Sequence, residues 1–181
     1  MKNSPFDCEL IKIDNNCSLF IVAIGKITKE LKEDIDSKLV SICVPDANFG
    51  LETVKKVLLD FLISKNTKQG KASNMTMGII AEFFNHLILK NYGFEQEFQF
   101  FNLEEGSMKK GFDGVYSYQN DYWLMESKSS GMSNSTHKTN IKTAHTNLKG
   151  KISGKAKNNP WFNAFNHIKV INSSSLTLVK K

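Results

Sequence analysis

The chain contains no arginine: all 24 of its basic residues are lysine. Lysine meets phosphate as a point charge, without the two-pronged fork of a guanidinium. Bidentate reading of guanine by arginine is therefore closed to this subunit. A second absence lies in the C-terminal part. From Ser127 to the last residue there is no aspartate or glutamate, against ten lysines. The first 126 residues hold 14 lysines and all 18 acids, a net of −4, while the remainder carries +10. Such asymmetry points to a polyanionic partner, most simply nucleic acid; a basic solubilising face is the alternative that charge alone leaves open. If nucleic acid is bound, backbone contacts, steep salt dependence and little sequence readout are expected.

Cysteine is scarce as well. Cys8, Cys17 and Cys43 are odd in number, widely spaced and free of any C-x-x-C pair. This excludes a disulfide framework or a zinc cluster and leaves buried, reduced thiols as the expectation. No apolar run is long enough to span a bilayer, and the opening "MKNSPFDCELIKIDNN" lacks a signal-peptide core. A cytoplasmic location without membrane attachment is the default. The 181 residues, 40% hydrophobic and 23% charged, suit one soluble domain with a small appendage.

Along the chain, "CELIKI" and "CSLFIVAIG" read as strands around an Asp-Asn-Asn turn. "KITKELKEDIDSKLVSIC" begins as a helix and passes into an apolar run. In "LETVKKVLLDFLIS", Leu51, Val54, Val57, Leu58, Phe61 and Leu62 repeat at helical spacing. "SKNTKQGKASN" is a polar loop, and its Gly70-Lys71 lacks the other residues of a phosphate loop. The clearest helix is 74–93, capped by Asn74 or Thr76 and stopped by Gly93, with Phe94 folding back on its last turn. Glu82 and His86, four apart, share its polar side. A strand over "FEQEFQFFNLEEG" comes next, then a hairpin with strands near 110–118 and 122–129. "SNSTHKTNIKTAHTNLKG" is a helix capped by Ser133 or Ser135 and ended by Gly150. On it Ile141, Ala144, Leu148 and Ile152 make one face, and Lys138, Lys142, His145 and Lys149 a neighbouring basic stripe. A loop follows, then a short helical turn at "WFNAFNHIKVI" and a final strand at "SLTLV".

The hairpin carries the chemistry. In "KKGFDGVYSYQNDYWLMESKSS" (109–130), Glu126 and Lys128 point the same way because strand side chains alternate. Asp113 joins them only if the loop has two residues. With Gln119-Asn120 in the loop Asp113 faces Glu126; with Asn120-Asp121 it faces Lys128. A three-residue loop without a bulge puts it on the wrong face. Two carboxylates that close repel unless a cation joins them. Magnesium prefers carboxylate oxygen and keeps several waters. Held by Asp113 and Glu126, it would polarise a phosphate and activate a water. Lys128 would orient that water or offset charge building on the phosphate. The competing reading is an ion-paired strand end.

In context, the stretch from about 74 to 150 resembles the PD-(D/E)xK nuclease superfamily. The features are "GIIAE" opening a helix that ends at "YGF", an intervening strand, "GFDG", a hairpin, "ESK" and a following basic helix. The resemblance implies an α/β fold: a restriction-endonuclease-like αβββαβ core with a mixed central sheet over 71–181, and an N-terminal α/β extension, 1–70, packed on it. It implies metal ligation by Asp113 and Glu126, a catalytic Lys128, and Glu82 as the core-helix acid facing the same site. Phe112 stands where the motif has proline, and Ser127 where an apolar residue is common. "EFFN" together with "GFDG…ESK" is also similar to the nuclease subunit of Hachiman-type anti-phage systems, for which this chain is short.

The expectation is thus a Mg²⁺-dependent deoxyribonuclease, with Mn²⁺ able to substitute, in anti-phage defence or DNA processing. The basic helix and the loop after it, with Lys138, Lys142, Lys149, Lys151 and Lys155, would hold the DNA backbone. No ATPase motif is present, so translocation would come from a helicase or ATPase partner; many relatives also act as homodimers. His86 is expected to face solvent or to be hydrogen-bonded, with a metal-assisting role as the minor reading. His145 is expected to meet phosphate or water, and Trp123 and Trp161 to anchor the core. Competing functions are a catalytically silent nucleic-acid- or partner-binding module of the same fold, and a structural α/β adaptor.

Overall fold

Asp14 closes the first turn: its Oδ1 accepts the Asn16 N–H at 2.7 Å, an Asx-turn that lets the chain reverse. The strands on either side, β1 (Asp7–Lys12) and β2 (Ser18–Ala23), pair antiparallel with Asp7 opposite Ala23 and Lys12 opposite Ser18. The computed structural model describes residues 5–44, 49–67, 70–102, 107–108, 111–131, 136–156 and 159–171. By internal contacts the chain divides into Met1–Lys38 and Leu39–Lys181. Helix α1 (Lys29–Cys43) runs across that division. Thr28 Oγ1 caps it by accepting the Leu31 N–H at 3.2 Å. The apolar run at its end therefore stays helical, and it delivers Ile42 and Cys43, both fully buried.

In the second unit α2 (Leu51–Ser64) and α3 (Asn74–Asn91) form as the apolar spacing predicts. The cap of α3 lies one residue earlier than expected: Ser73 Oγ accepts the Thr76 N–H at 3.1 Å. Its end is a Schellman motif. Gly93 takes a φ of 83°, its N–H bonds Lys90, and the Phe94 N–H bonds Leu89 at 3.1 Å.

The strand expected over 94–106 is broken into pieces. β3 (Glu95–Gln96) pairs with the hairpin, and β4 (Phe101–Asn102) pairs with β5 (Ser107–Met108) in a separate two-stranded sheet. The pieces between are anchored individually: the Gln96 side-chain amide donates to the Ile42 and Phe98 carbonyls at 3.0 and 2.6 Å. The hairpin itself is β6 (Gly114–Tyr118) and β7 (Asp121–Met125), giving the sheet order β3-β6-β7. Every described pairing is antiparallel, so the mixed sheet is not found among the described residues. The expected last strand at 175–179 lies outside them.

Helix α4 (His137–Ile152) is capped by Thr136, whose Oγ1 accepts the Thr139 N–H at 3.2 Å. Ser133 and Ser135 lie outside the described residues. Gly150 does not end the helix, which runs on to Ile152, and Gly154, at a φ of 70°, follows. The "WFNAFNHIKVI" stretch is a full helix, α5 (Pro160–Ile171), rather than a short turn leading into strands. Pro160 at its first position suits it, because that N–H would be unpaired anyway.

The two faces of the hairpin are covered by different elements. On one, Val115 and Leu124 stand opposite each other and pack with Phe98, Phe112 and Ala164, against Leu148 of α4 and Trp161 of α5. On the other, Tyr116 meets His86 of α3 and Phe94, with ring centroids 5.7 and 6.1 Å away. Phe98, Phe100, Phe101, Phe112 and Tyr116 are at most 1% exposed, each stabilising the fold by about 1.5–3 kcal/mol. The chain is thus of mixed α/β class. No helix among the described residues is long and apolar enough to cross a membrane.

Candidate functional site

Gln119 and Asn120 have φ of 50° and 67°. Positive φ at both central residues is the type I′ turn, whose twist matches a hairpin. Of the two loops open to the sequence, this is Gln119-Asn120. Gly114 then pairs with Met125 as the last pair of the ladder. β7 stops at Met125 rather than running to 129. Asp113 and Glu126 lie one step beyond it, in the register that would set them opposite each other, close enough for one ammonium to reach both. The Asp113 carboxylate tightens this end of the hairpin: Oδ2 accepts the Ser127 N–H at 2.6 Å.

Two lysines meet these acids. Lys128 Nζ lies 2.6 Å from Glu126 Oε1 and donates to the Ser127 carbonyl at 2.7 Å. Lys151, from the last turn of α4, pairs with Glu126 Oε2 and reaches Asp113 Oδ1 at 3.4 Å. Glu126 thus holds one ammonium on each oxygen, with its side chain only 3% exposed. So buried a carboxylate is tolerated only with such partners. Lys151 was expected on the DNA-facing surface. Instead it is half-buried, because it follows Leu148 by three residues and shares the inward side of α4.

Glu82 reaches the same place from α3. A side chain at Gly78 would touch Ser129 Oγ at 3.5 Å, so that side of α3 faces the chain just beyond Lys128. Glu82, one turn on, shares it. Burial first, and then the charges of Asp113 and Glu126, push the Glu82 carboxyl up to about 8 against the opposing pull of Lys151 and Lys128. It is mostly protonated at neutral pH. Asp113, Glu126, Lys128 and Glu82 are therefore gathered at the open end of the hairpin, with Lys151 among them. Lys138, Lys142, Lys149 and Lys155 are exposed and stand outside this cluster.

His86 is hydrogen-bonded, one of its two expected settings, but not on the polar side of the helix. It is wholly buried; its Nδ1 bonds the Tyr116 hydroxyl, and its Nε2 lies 4.0 Å from Glu82 Oε1. Burial lowers it to about 3, so it is neutral. It fixes Tyr116 on the α3 side of the hairpin. Trp123 also departs: it is 50% exposed rather than a core anchor, touching Phe94 edge-on at 5.9 Å. It helps line a groove of about 510 Å³ along β7, with Leu124, Ile141, Ala144 and Leu148. Trp161 does pack inward, on Phe112 at 5.0 Å. Cys43 is buried and its thiol pushed up to about 12, whereas Cys8 is half-buried and Cys17 exposed.

Among the described residues, no group of three or more histidine, cysteine, aspartate and glutamate side chains is arranged to hold a metal ion. A magnesium ion that keeps most of its water needs only one or two carboxylates. Asp113 and Glu126 meet that condition, since a single cation, the Lys151 ammonium, already contacts both. No protein-family model matches the chain, and comparison with curated proteins and with solved structures finds no match.

Proposed function

We propose that this protein is a metal-dependent nuclease that hydrolyses DNA phosphodiester bonds with little sequence readout. The observation that carries this reading is the convergence of Asp113 and Glu126 on one cation position, with Lys128 hydrogen-bonded beside it. Between α3 and α4 the chain runs β3, β4, β5, β6, β7, and β3, β6 and β7 share one sheet. The helix, three-stranded sheet and helix support a PD-(D/E)xK-like arrangement, with β4-β5 as an insertion, in which "GFDG" and "ESK" supply these residues. Asp113 and Glu126 would hold Mg²⁺, or Mn²⁺ in its place. When bound, the ion supplies Lewis acidity toward the phosphate and a more acidic water.

The remaining chemistry falls to the chain's own groups. Lys128, fixed by Glu126 and the Ser127 carbonyl, is rigid enough to orient a water or to offset charge on the phosphate. Glu82 holds a proton near neutral pH and can pass it to the departing oxygen. Lys138, Lys142, Lys149 and Lys155 would hold phosphates along the strand, and without arginine they read no bases. Such a nuclease would serve anti-phage defence or DNA processing in the cytoplasm, with any helicase activity coming from a partner subunit.

The test is incubation of plasmid DNA, linear DNA and RNA with purified protein in Mg²⁺ or EDTA. DNA cleavage should need Mg²⁺ and be lost in Asp113→Ala, Glu126→Ala and Lys128→Ala. Equal cleavage by the variants would sink the assignment. A second reading, a silent DNA-binding module of the same fold, draws on Lys151, which satisfies both acids without any metal. It predicts salt-sensitive binding and no cleavage in any divalent ion.

A further inference from the structure

Lys151 is the site residue that neither the hairpin nor the "ESK" pattern accounts for. Its Nζ contacts Glu126 Oε2 and Asp113 Oδ1 together. Those are the oxygens a divalent ion would take. We propose that Lys151 is the site's built-in counter-cation, bridging Asp113 and Glu126 when no divalent ion is bound and competing with that ion for them. This rests on the metal-dependent reading and adds a regulatory step to it.

Three observations support the role. Glu126 is too buried to stand without a cation. Lys151 lies in the last turn of α4, where the helix dipole favours positive charge. Its Nζ hangs on a four-carbon stem with 19% side-chain exposure, so it can swing outward while the helix stays in place. Lys128 is held differently, by a Glu126 oxygen and a backbone carbonyl, and it can remain when an ion enters. Metal entry would then release one ammonium, which joins exposed Lys149 and Lys155 on the phosphate-facing side.

The experiment is calorimetric titration of Mn²⁺ into chelator-treated full-length protein, paired with thermal melts in EDTA and in Mn²⁺. Wild type, Lys151→Met, Lys151→Arg and Asp113→Asn are compared. Lys151→Met should bind Mn²⁺ about tenfold more tightly, the worth of one charge-assisted hydrogen bond. Its melting point should fall in EDTA and recover with Mn²⁺ by more than wild type gains. Lys151→Arg, which keeps the charge, should resemble wild type in both. A purely structural lysine would lower both melts equally and leave the affinity unchanged, and that result would overturn the proposal. If wild type binds Mn²⁺ and Asp113→Asn does not, but Lys151→Met binds no more tightly, the metal site survives and only this role falls. If no variant binds Mn²⁺, both readings fall.

Discussion

At the scale of single residues, Gly114 shows what the "GFDG" motif is for. A side chain there would sit 2.7 Å from the Tyr116 ring, and that ring cannot retreat without losing His86. Gly114→Ala should cost about 1–3 kcal/mol, read as a lower urea midpoint; an unchanged midpoint would mean the ring is free to move. Glu82 carries a prediction in pH. Its folded-state value of about 8 lies above the usual carboxylate value near 4.3. Folding therefore retains a proton that the unfolded chain loses. Metal-free stability should fall as pH rises from about 4.5 through 8. Glu82→Gln removes that loss, so in EDTA it should stabilise by a few kcal/mol, on the order of 4 at pH 8, and not at all at pH 4. A gain independent of pH would contradict it. His86 acts with the opposite sign. Held neutral to about 3, it withholds a proton that the unfolded chain takes up, and stability falls as pH drops through 6.5. That Asp113 shares a face with Glu126 and Lys128 was legible in the sequence for a two-residue loop. Which of the two it faces was not, and the positive φ of Gln119 and Asn120 decides for Glu126. The depth of His86 and Trp123 was not legible either: spacing tells which side of an element a residue occupies, not how thickly that side is covered.

Among the elements, the hairpin has the sharpest consequence. Side chains alternate with a period of two, so one residue inserted between Gln119 and Asn120 should move Asp113 off the face of Glu126. The insertion variant should keep its helical circular dichroism yet lose Mn²⁺ binding; retention of binding would show that a bulge repairs the register. In α4 the reading failed at Gly150. Glycine after a lysine-rich turn looks like a stop, and with the helix ended there Lys151 falls into a loop. The signal that places it correctly is its spacing from Ala144 and Leu148, seven and three residues back. Helices α2 and α3 were legible because their apolar repeat is long. The pieces β3, β4 and β5 were not, since strands of two residues are held by side-chain anchors such as Gln96 rather than by a periodic pattern.

At the scale of the whole molecule, the charge division is the main fact: every acid precedes Ser127, and the exposed lysines of α4 lie beyond it. Charge reversal at Lys138, Lys142 or Lys149 should weaken binding to all DNA sequences alike and flatten the salt dependence by about one ion per residue. Loss confined to certain sequences would contradict backbone contact. Composition foretold this basic half, but not that two of its lysines, Lys128 and Lys151, turn to the acids. The central claim is that Asp113 and Glu126 share one divalent ion. Crystals grown in Mn²⁺ test it most directly through anomalous scattering. The account predicts a single peak between the two carboxylates with Lys151 displaced from them. No peak there, with Lys151 still bridging both acids in saturating Mn²⁺, would contradict it.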